Sequence, residues 1–273
     1  MAGNHNRALP TLIDMSQCMH LKAYSLACIA AIGARGGKQI HLVLPKNPNC
    51  REHCLRHGLP KWFNTAESEK VSTKRRSIPI QQLQINDGPG DFSRKAMAVW
   101  KEELDNQLSV GLEPALQSHL DELIMNALGH SNSPVGCFVI GQGHPNLGVL
   151  ELCVLDLGMT IRTHLTKNPK YATFNTDESA IKKAMELGVT GTLPGSYNLL
   201  GEPNSGVGLA TLHEFCETGN CSINVISGES CVCFMPTGET HSARLKRHFA
   251  GTLVDVKFYT REQLQPSVSE SIL

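Results

Sequence analysis

The sequence lacks any run near the roughly 20 apolar residues that a membrane-spanning helix needs. Its first residues, MAGNHNRALPTL, lack the charged-then-apolar layout of a secretory signal. Both absences predict a cytoplasmic protein with no membrane partner. Net charge is missing too: 25 Lys and Arg balance 25 Asp and Glu, so no overall field draws the chain to nucleic acid or anionic lipid. The ten cysteines never form the C-x-x-C pair of a zinc ribbon. Cys50, Cys54 and His57 share one face of a short predicted helix, a spacing a metal could use. Small, half-buried thiols in a reducing compartment are the simpler reading. There is no internal repeat and no low-complexity block.

What remains is a chain of 273 residues, 41% apolar and 18% charged, enough for one large or two modest domains around a real core. The first part reads strand, helix, strand, helix. TLIDMS is a short apolar strand, His20 to Ala34 an alanine-rich helix ended by Gly36-Gly37, QIHLVLP a second strand, and Asn49 to His57 a short helix stopped by Gly58 and Pro60. Such alternation predicts a small sheet with helices packed on it. TAESEKVSTKRR, from residue 65, has charge and no periodic apolar face, which marks a connector. The expected organisation is therefore a domain over 1–63, extending at most to about 86, a linker over 64–91, a second domain over 92–260 and a tail over 261–273. Ser77 to Ile85 can add a strand, and Phe92 to Leu108 has helical spacing at Met97, Trp100 and Leu104.

The second part carries the chemistry. A helix over about Leu112 to Gly129 has Leu112, Leu116, Leu120, Leu123 and Ala127 on its apolar face, with Glu122 and Asn126 one turn apart beside it. By themselves such a pair is an ordinary solvated helix surface. The strand LGVLELCVLDLG then ends in Asp156-Leu-Gly158-Met-Thr160. An acid there can accept from the exocyclic amine of a base, and Gly158 lets a group approach the backbone. DESAIKKAMEL, Asp177 to Leu187, is a helix that supports the segment after it. That segment, Gly188 to Asn204, is rich in glycine and proline, and loops of this length in a domain are functional lids. It runs into Ser205-Gly206-Val207-Gly208-Leu209 and a helix, a start whose backbone N–H groups suit a phosphate chain.

In this order, ELIMNALGHS, VLDLGMTI, NSGVGLATLHEFCETG and the late Gly251-Thr252-Leu253-Val254 resemble the N box, first glycine box, second glycine box and final strand of the GHKL ATP-binding domains. That family includes histidine kinases, gyrase and the anti-sigma-factor kinases. The resemblance spans about residues 112 to 258 and is nearest the anti-sigma-factor serine kinases, which favour the form NALGHS. It implies an α+β protein with a Bergerat-type α/β sandwich, a mixed sheet covered by helices. ATP and Mg²⁺ are the implied cofactors. Asn126 would bind the Mg²⁺ that bridges the phosphates, and Asp156 the adenine amino group. Ser205, Gly206, Gly208 and Leu209 would line the phosphates, and Gly158, Thr160 and Thr252 the base. Glu122 matches the general base that activates a water or hydroxyl. The family's first box reads D-x-G-x-G. Here Thr160 replaces the second glycine, which restricts the backbone and narrows the adenine pocket. His130 is a phosphate contact or a partner of the helix dipole.

IDMSQCMHLKAYSLACIAAIGARGGKQIHLVLPKN, within about residues 8 to 60, resembles a STAS-type domain by its pattern. The position where such domains carry a phosphoryl acceptor reads His20 to Tyr24, and Ser25 falls a turn late, so a docking or regulatory module is expected. The implied partners are ATP, a protein held through the STAS-like half and, as an option, a second copy of the chain. Two functions follow: an ATPase or serine/threonine protein kinase, or an inactive module that senses nucleotide and presents a protein surface. A complete histidine kinase does not fit, because no dimerisation hairpin with an acceptor histidine precedes the site and His119 lies within the Asn126 helix.

Overall fold

Between Val149 and Asp156 apolar residues occupy both alternations, the pattern of a strand covered on its two faces. The computed structural model, which describes residues 11–37, 39–65, 76–104, 112–193 and 208–259, makes this run the centre of a sheet. Its first elements are β1 (Leu12–Asp14), α1 (Ala23–Arg35), β2 (His41–Val43), α2 (Pro48–Arg56) and β3 (Ser77–Leu83). Then come α3 (Gly90–Leu104), α4 (Leu112–His130), β4 (Cys137–His144), β5 (Val149–Asp156) and α5 (Ile161–Leu165). The chain finishes with α6 (Asp177–Ala184), α7 (Gly208–Glu217), β6 (Cys221–Phe234) and β7 (Thr240–Tyr259). The glycine-rich segment from residue 194 to 207, with Ser205 and Gly206, and the tail lie outside the described residues.

The five-stranded sheet has the order β3-β4-β5-β7-β6, and every neighbouring pair is antiparallel. This corrects the expected mixed sheet. For two of the four pairs the reason lies in the connections: β4 and β5 are joined through Pro145–Leu147 and Gly148 (φ 61°), and β6 and β7 through Met235 to Glu239, with Gly238 at φ 81°. Links this short can only make antiparallel neighbours. The parallel pair is elsewhere, between β1 and β2. β3, inside the span read as connector, is an edge strand of the sheet. β6 itself turns back at Gly228 (φ 64°): the Cys216 thiol lies 2.8 Å from the Cys221 carbonyl and 3.4 Å from that of Phe234, so the strand's two ends sit side by side.

Alternation assigns the side chains to two cores. Val139, Leu152, Val154, Val225 and Val254 face α3, α4 and α7, meeting Trp100, Leu120, Ile124 and Leu212. Phe138, Ile140, Cys153, Leu155 and Leu253 face the other way, onto Leu26, Ala27, Ala30 and Ala31 of α1 and onto Leu42, Cys54 and Phe63. The alanines keep α1 thin enough to lie flat on the strands. Gly33 continues this: a Cβ there would come within 2.7 Å of the Phe63 ring. Residues within 13–63 thus share a core with the sheet. All ten cysteines are free thiols, and burial pushes Cys54 up to about 12, so it is inert.

This face of the sheet also buries polar groups, Asp255 among them. Asp255 is 1% exposed and pairs across the strands with Asn224 on β6 and Cys153 on β5. Neither carboxyl oxygen has a hydrogen-bond partner, nor does Asn224 Oδ1. A proton on Asp255 would supply the missing donor. Burial, then the charge of Glu151, push this acid well above the usual carboxylate range. Burial pushes Glu151 up as well, but the hydrogen bond from His144 Nε2 (3.2 Å) and the nearby cations hold it below its ordinary value. Asp255 therefore holds its proton to higher pH in the fold than in the unfolded chain, where it ionises near 3.9. The folded state holds the extra proton, and stability falls as pH rises above about 4. Asp255→Asn should raise the melting temperature at pH 8 by a few degrees, a gain of about 1–3 kcal/mol, and flatten the pH dependence of thermal unfolding. A melting temperature lowered by the substitution would refute the protonated state.

Candidate functional site

The site begins where β5 runs out. Asp156 is the last residue of the strand and 3% exposed, with its Oδ1 accepting from Gly158 N at 2.8 Å. Burial pushes its carboxyl up to about 7, against the opposing effect of backbone N–H groups of Gly158 and Thr252. The Asp-Leu-Gly turn then passes the end of α4. A Cβ on Gly158 would lie 2.0 Å from the Ser131 carbonyl oxygen, so glycine is required here by contact. That carbonyl accepts from Met159 N at 2.6 Å. Asn132, at φ 50°, lets the chain leave α4 beside this contact.

Thr160 stands where the resemblance led to the expectation of a glycine, and its backbone is open to a side chain. Its φ is −71°, open to any residue, and its Oγ1 accepts from Thr163 N at 3.1 Å, capping α5. Thr160 is buried and lines the cleft.

Three further segments complete the wall. Glu122, Asn126 and His130 stand one turn apart on α4 and face the cleft. Gly208 and Leu209 open α7. A Cβ on Gly208 would lie 2.0 Å from Glu122 Cγ, so the glycine lets the helix start close on the acid. From β7, Thr252 sits opposite Asp156 in register. Together with Val154, Ile161, Leu165, Ala184, Val189 and Val254 these residues enclose a cleft of about 840 Å³, counting its open mouth. Its walls are apolar and its polar groups few and convergent, as in small-molecule sites.

Of the residues expected from sequence, Glu122, Asn126, Asp156, Thr160, Gly208, Leu209 and Thr252 all line this one cleft. Gly158 supports it from behind, and Ser205 and Gly206 lie outside the described residues. Three contributors went unnoticed. Ser227, fully buried on β6, donates to Gly251 O at 2.9 Å, accepts from Ile161 N at 2.9 Å and lies 3.3 Å from Thr252 Oγ1. It ties the turn after Asp156 to the far strands. A serine within the apolar run INVIS was its one signal. Ser131 gives the carbonyl described above. His164 on α5 stacks with His130, ring centroids 4.9 Å apart. Burial, then His130 and Lys167, push His164 down to about 4, and burial with Lys167 lowers His130 too. Both shifts favour the neutral ring.

His57, read from sequence with Cys50 and Cys54, is engaged elsewhere: its ring nitrogens meet Ile78 O at 3.2 Å and Gln142 Oε1 at 2.9 Å. Among the described residues no group of three or more His, Cys, Asp or Glu is placed to hold a metal ion, and no helix is long and apolar enough to cross a membrane. No family model and no curated protein searched matches this chain.

Proposed function

We propose that the protein binds ATP with Mg²⁺ in this cleft, as a GHKL-type ATPase or serine/threonine protein kinase of the anti-sigma-factor kind. The observation that carries it is the gathering of Glu122, Asn126, Asp156, Gly208 and Thr252, from four segments far apart in the chain, around one apolar cavity. The residues fit the group. A buried carboxylate in the cleft wall suits an amine donor, and the apolar walls suit a base. The start of α7, with a glycine and no acidic residue in its first turn, suits phosphate. Asn126 would hold Mg²⁺ with the phosphates. That ion keeps mostly water and phosphate oxygens, so one protein ligand is consistent with the absence of an acidic cage. Bound ATP would supply the phosphoryl group, and Glu122 is the group on hand to take a proton from a water or hydroxyl.

A second reading, ATP as a signal with little turnover, draws on α1. This helix packs on β4 and β5, and β5 is the strand that ends in Asp156. Order gained in the cleft is one core away from the N-terminal layer, through which a protein partner would be held.

ATP·Mg²⁺ binding and hydrolysis, measured on the full chain and on Glu122→Ala, separate these. The enzyme reading expects binding to survive in Glu122→Ala while turnover falls on the order of 100-fold. Binding without turnover in the unmodified protein would favour the sensor. No binding at all would end both.

A further inference from the structure

The register between β6 and β7 shifts twice around the turn at Gly228, between Ser227 and Gly228 and between Gly228 and Ser230. Gly228 pairs with Phe249 and Ser230 with Arg244, which leaves Leu245 to His248 on β7 without a paired residue on β6. The bulge reads Arg244-Leu-Lys-Arg-His248, with Lys246, Arg247 and His248 exposed and Leu245 half-buried. Arg244 bonds to Glu229 at 2.8 Å. The other acids close by are also matched: Asp177 meets Arg162 at 2.9 Å and Glu178 meets Lys182 at 2.6 Å. Asp177 also accepts from Glu229 N at 2.9 Å, which places these acids at the bulge. Among the described residues, the side chains of Lys246, Arg247 and His248 have no hydrogen bond or ion pair. Neighbouring like charges repel, and the fold gains nothing from these. In a chain with no net charge they make a local positive field.

The bulge also stands next to the cleft. Ser227, one residue before Gly228, holds Ile161 of the cleft wall, and Thr252, three residues after Phe249, lines the cavity. We propose that Lys246, Arg247 and His248 dock an acidic segment of a partner protein at the edge of the cleft, an inference that rests on the cleft being the working site.

A protein segment fits better than the alternatives. No large apolar side chain is exposed between Thr240 and Ala250, as a bilayer surface would need. Apart from the His248 imidazole the nearest ring is Phe249, which packs on the second core and is not free to stack on a base. Five extended residues span roughly 16 Å, room for a few carboxylates of an extended peptide and little for a longer polyanion.

The test uses the full chain with a fluorescein-labelled peptide rich in Glu and Asp, followed by anisotropy. The peptide should bind, bind more weakly at high salt, and lose about tenfold or more in affinity when Lys246→Glu and Arg247→Glu are combined. ATP binding and melting temperature of that variant should be unchanged. Equal peptide affinity in the variant, no peptide binding by the unmodified protein, or tighter binding of single-stranded RNA or phosphatidylserine vesicles would each overturn the proposal. If the unmodified protein holds the peptide through these residues yet does not bind ATP, the docking surface stands and the nucleotide reading alone fails.

Discussion

Adenosine should bind about tenfold more tightly at pH 8 than at pH 6, and Asp156→Asn should remove this dependence while weakening binding on the order of 100-fold. An exocyclic amine donates, so it favours the ionised carboxyl. With its carboxyl pushed up to about 7, Asp156 is about one-tenth ionised at pH 6 and about nine-tenths at pH 8. Adenosine is the probe because it has no phosphate to titrate in that window. His164, pushed down to about 4, lies outside this window, and burial lowers His130 as well. The substitution should be costly because a charge-assisted bond is lost and the Asn amide presents its own donors to an amine. Titration calorimetry across this range checks both parts; affinity flat with pH in the unmodified protein would remove Asp156 from the binding step. Without ligand the same carboxyl acts in the opposite sense. It ionises near 3.9 unfolded and near 7 folded, so stability falls as pH rises between the two, and a ligand that takes up the ionised form offsets that loss.

Gly251→Ala should destabilise the protein by about 3–4 kcal/mol, against about 1 kcal/mol for Gly219→Ala. Both glycines have positive φ, 101° and 89°. They differ in what surrounds them. A Cβ on Gly251 would lie 2.1 Å from the Asp156 carbonyl oxygen and 2.8 Å from Leu157 Cα, while one on Gly219 meets nothing within 4 Å. The neighbouring atoms at Gly251 are backbone of the central strand and its turn, so they have little freedom to give. Because that strand pair also carries Asp156 and Thr252 in register, the damage should extend to the cleft, and ligand affinity should fall with stability. Chemical denaturation of the two variants side by side gives the difference; equal losses would mean that the close approach of β7 to Asp156 is not needed.

Much of this was legible from residue order. Apolar spacing gave the helices to within a few residues, as with His20 to Ala34 against α1 and Leu112 to Gly129 against α4. The candidate residues Glu122, Asn126, Asp156, Gly208 and Thr252 follow from the order of motifs that resemble the GHKL boxes, and all five line one cleft. Thr160 shows the limit of motif matching: the expected glycine is unnecessary because this turn keeps φ negative and uses a hydroxyl as a helix cap.

The sequence alone determined the period of each element, the both-sided burial of β5 and the acid, amide and glycines offered at its turns, since these depend on neighbours a few residues away. Tertiary structure decided which strands pair and in which direction, and that α1 covers the second face. It also brought Ser227 within 2.9 Å of Ile161 N, stacked His164 on His130 and left Asp255 buried opposite Asn224. Those partners lie tens of residues apart, and nothing local sets their distance. It is fixed only when two apolar faces of one sheet must both be covered at once.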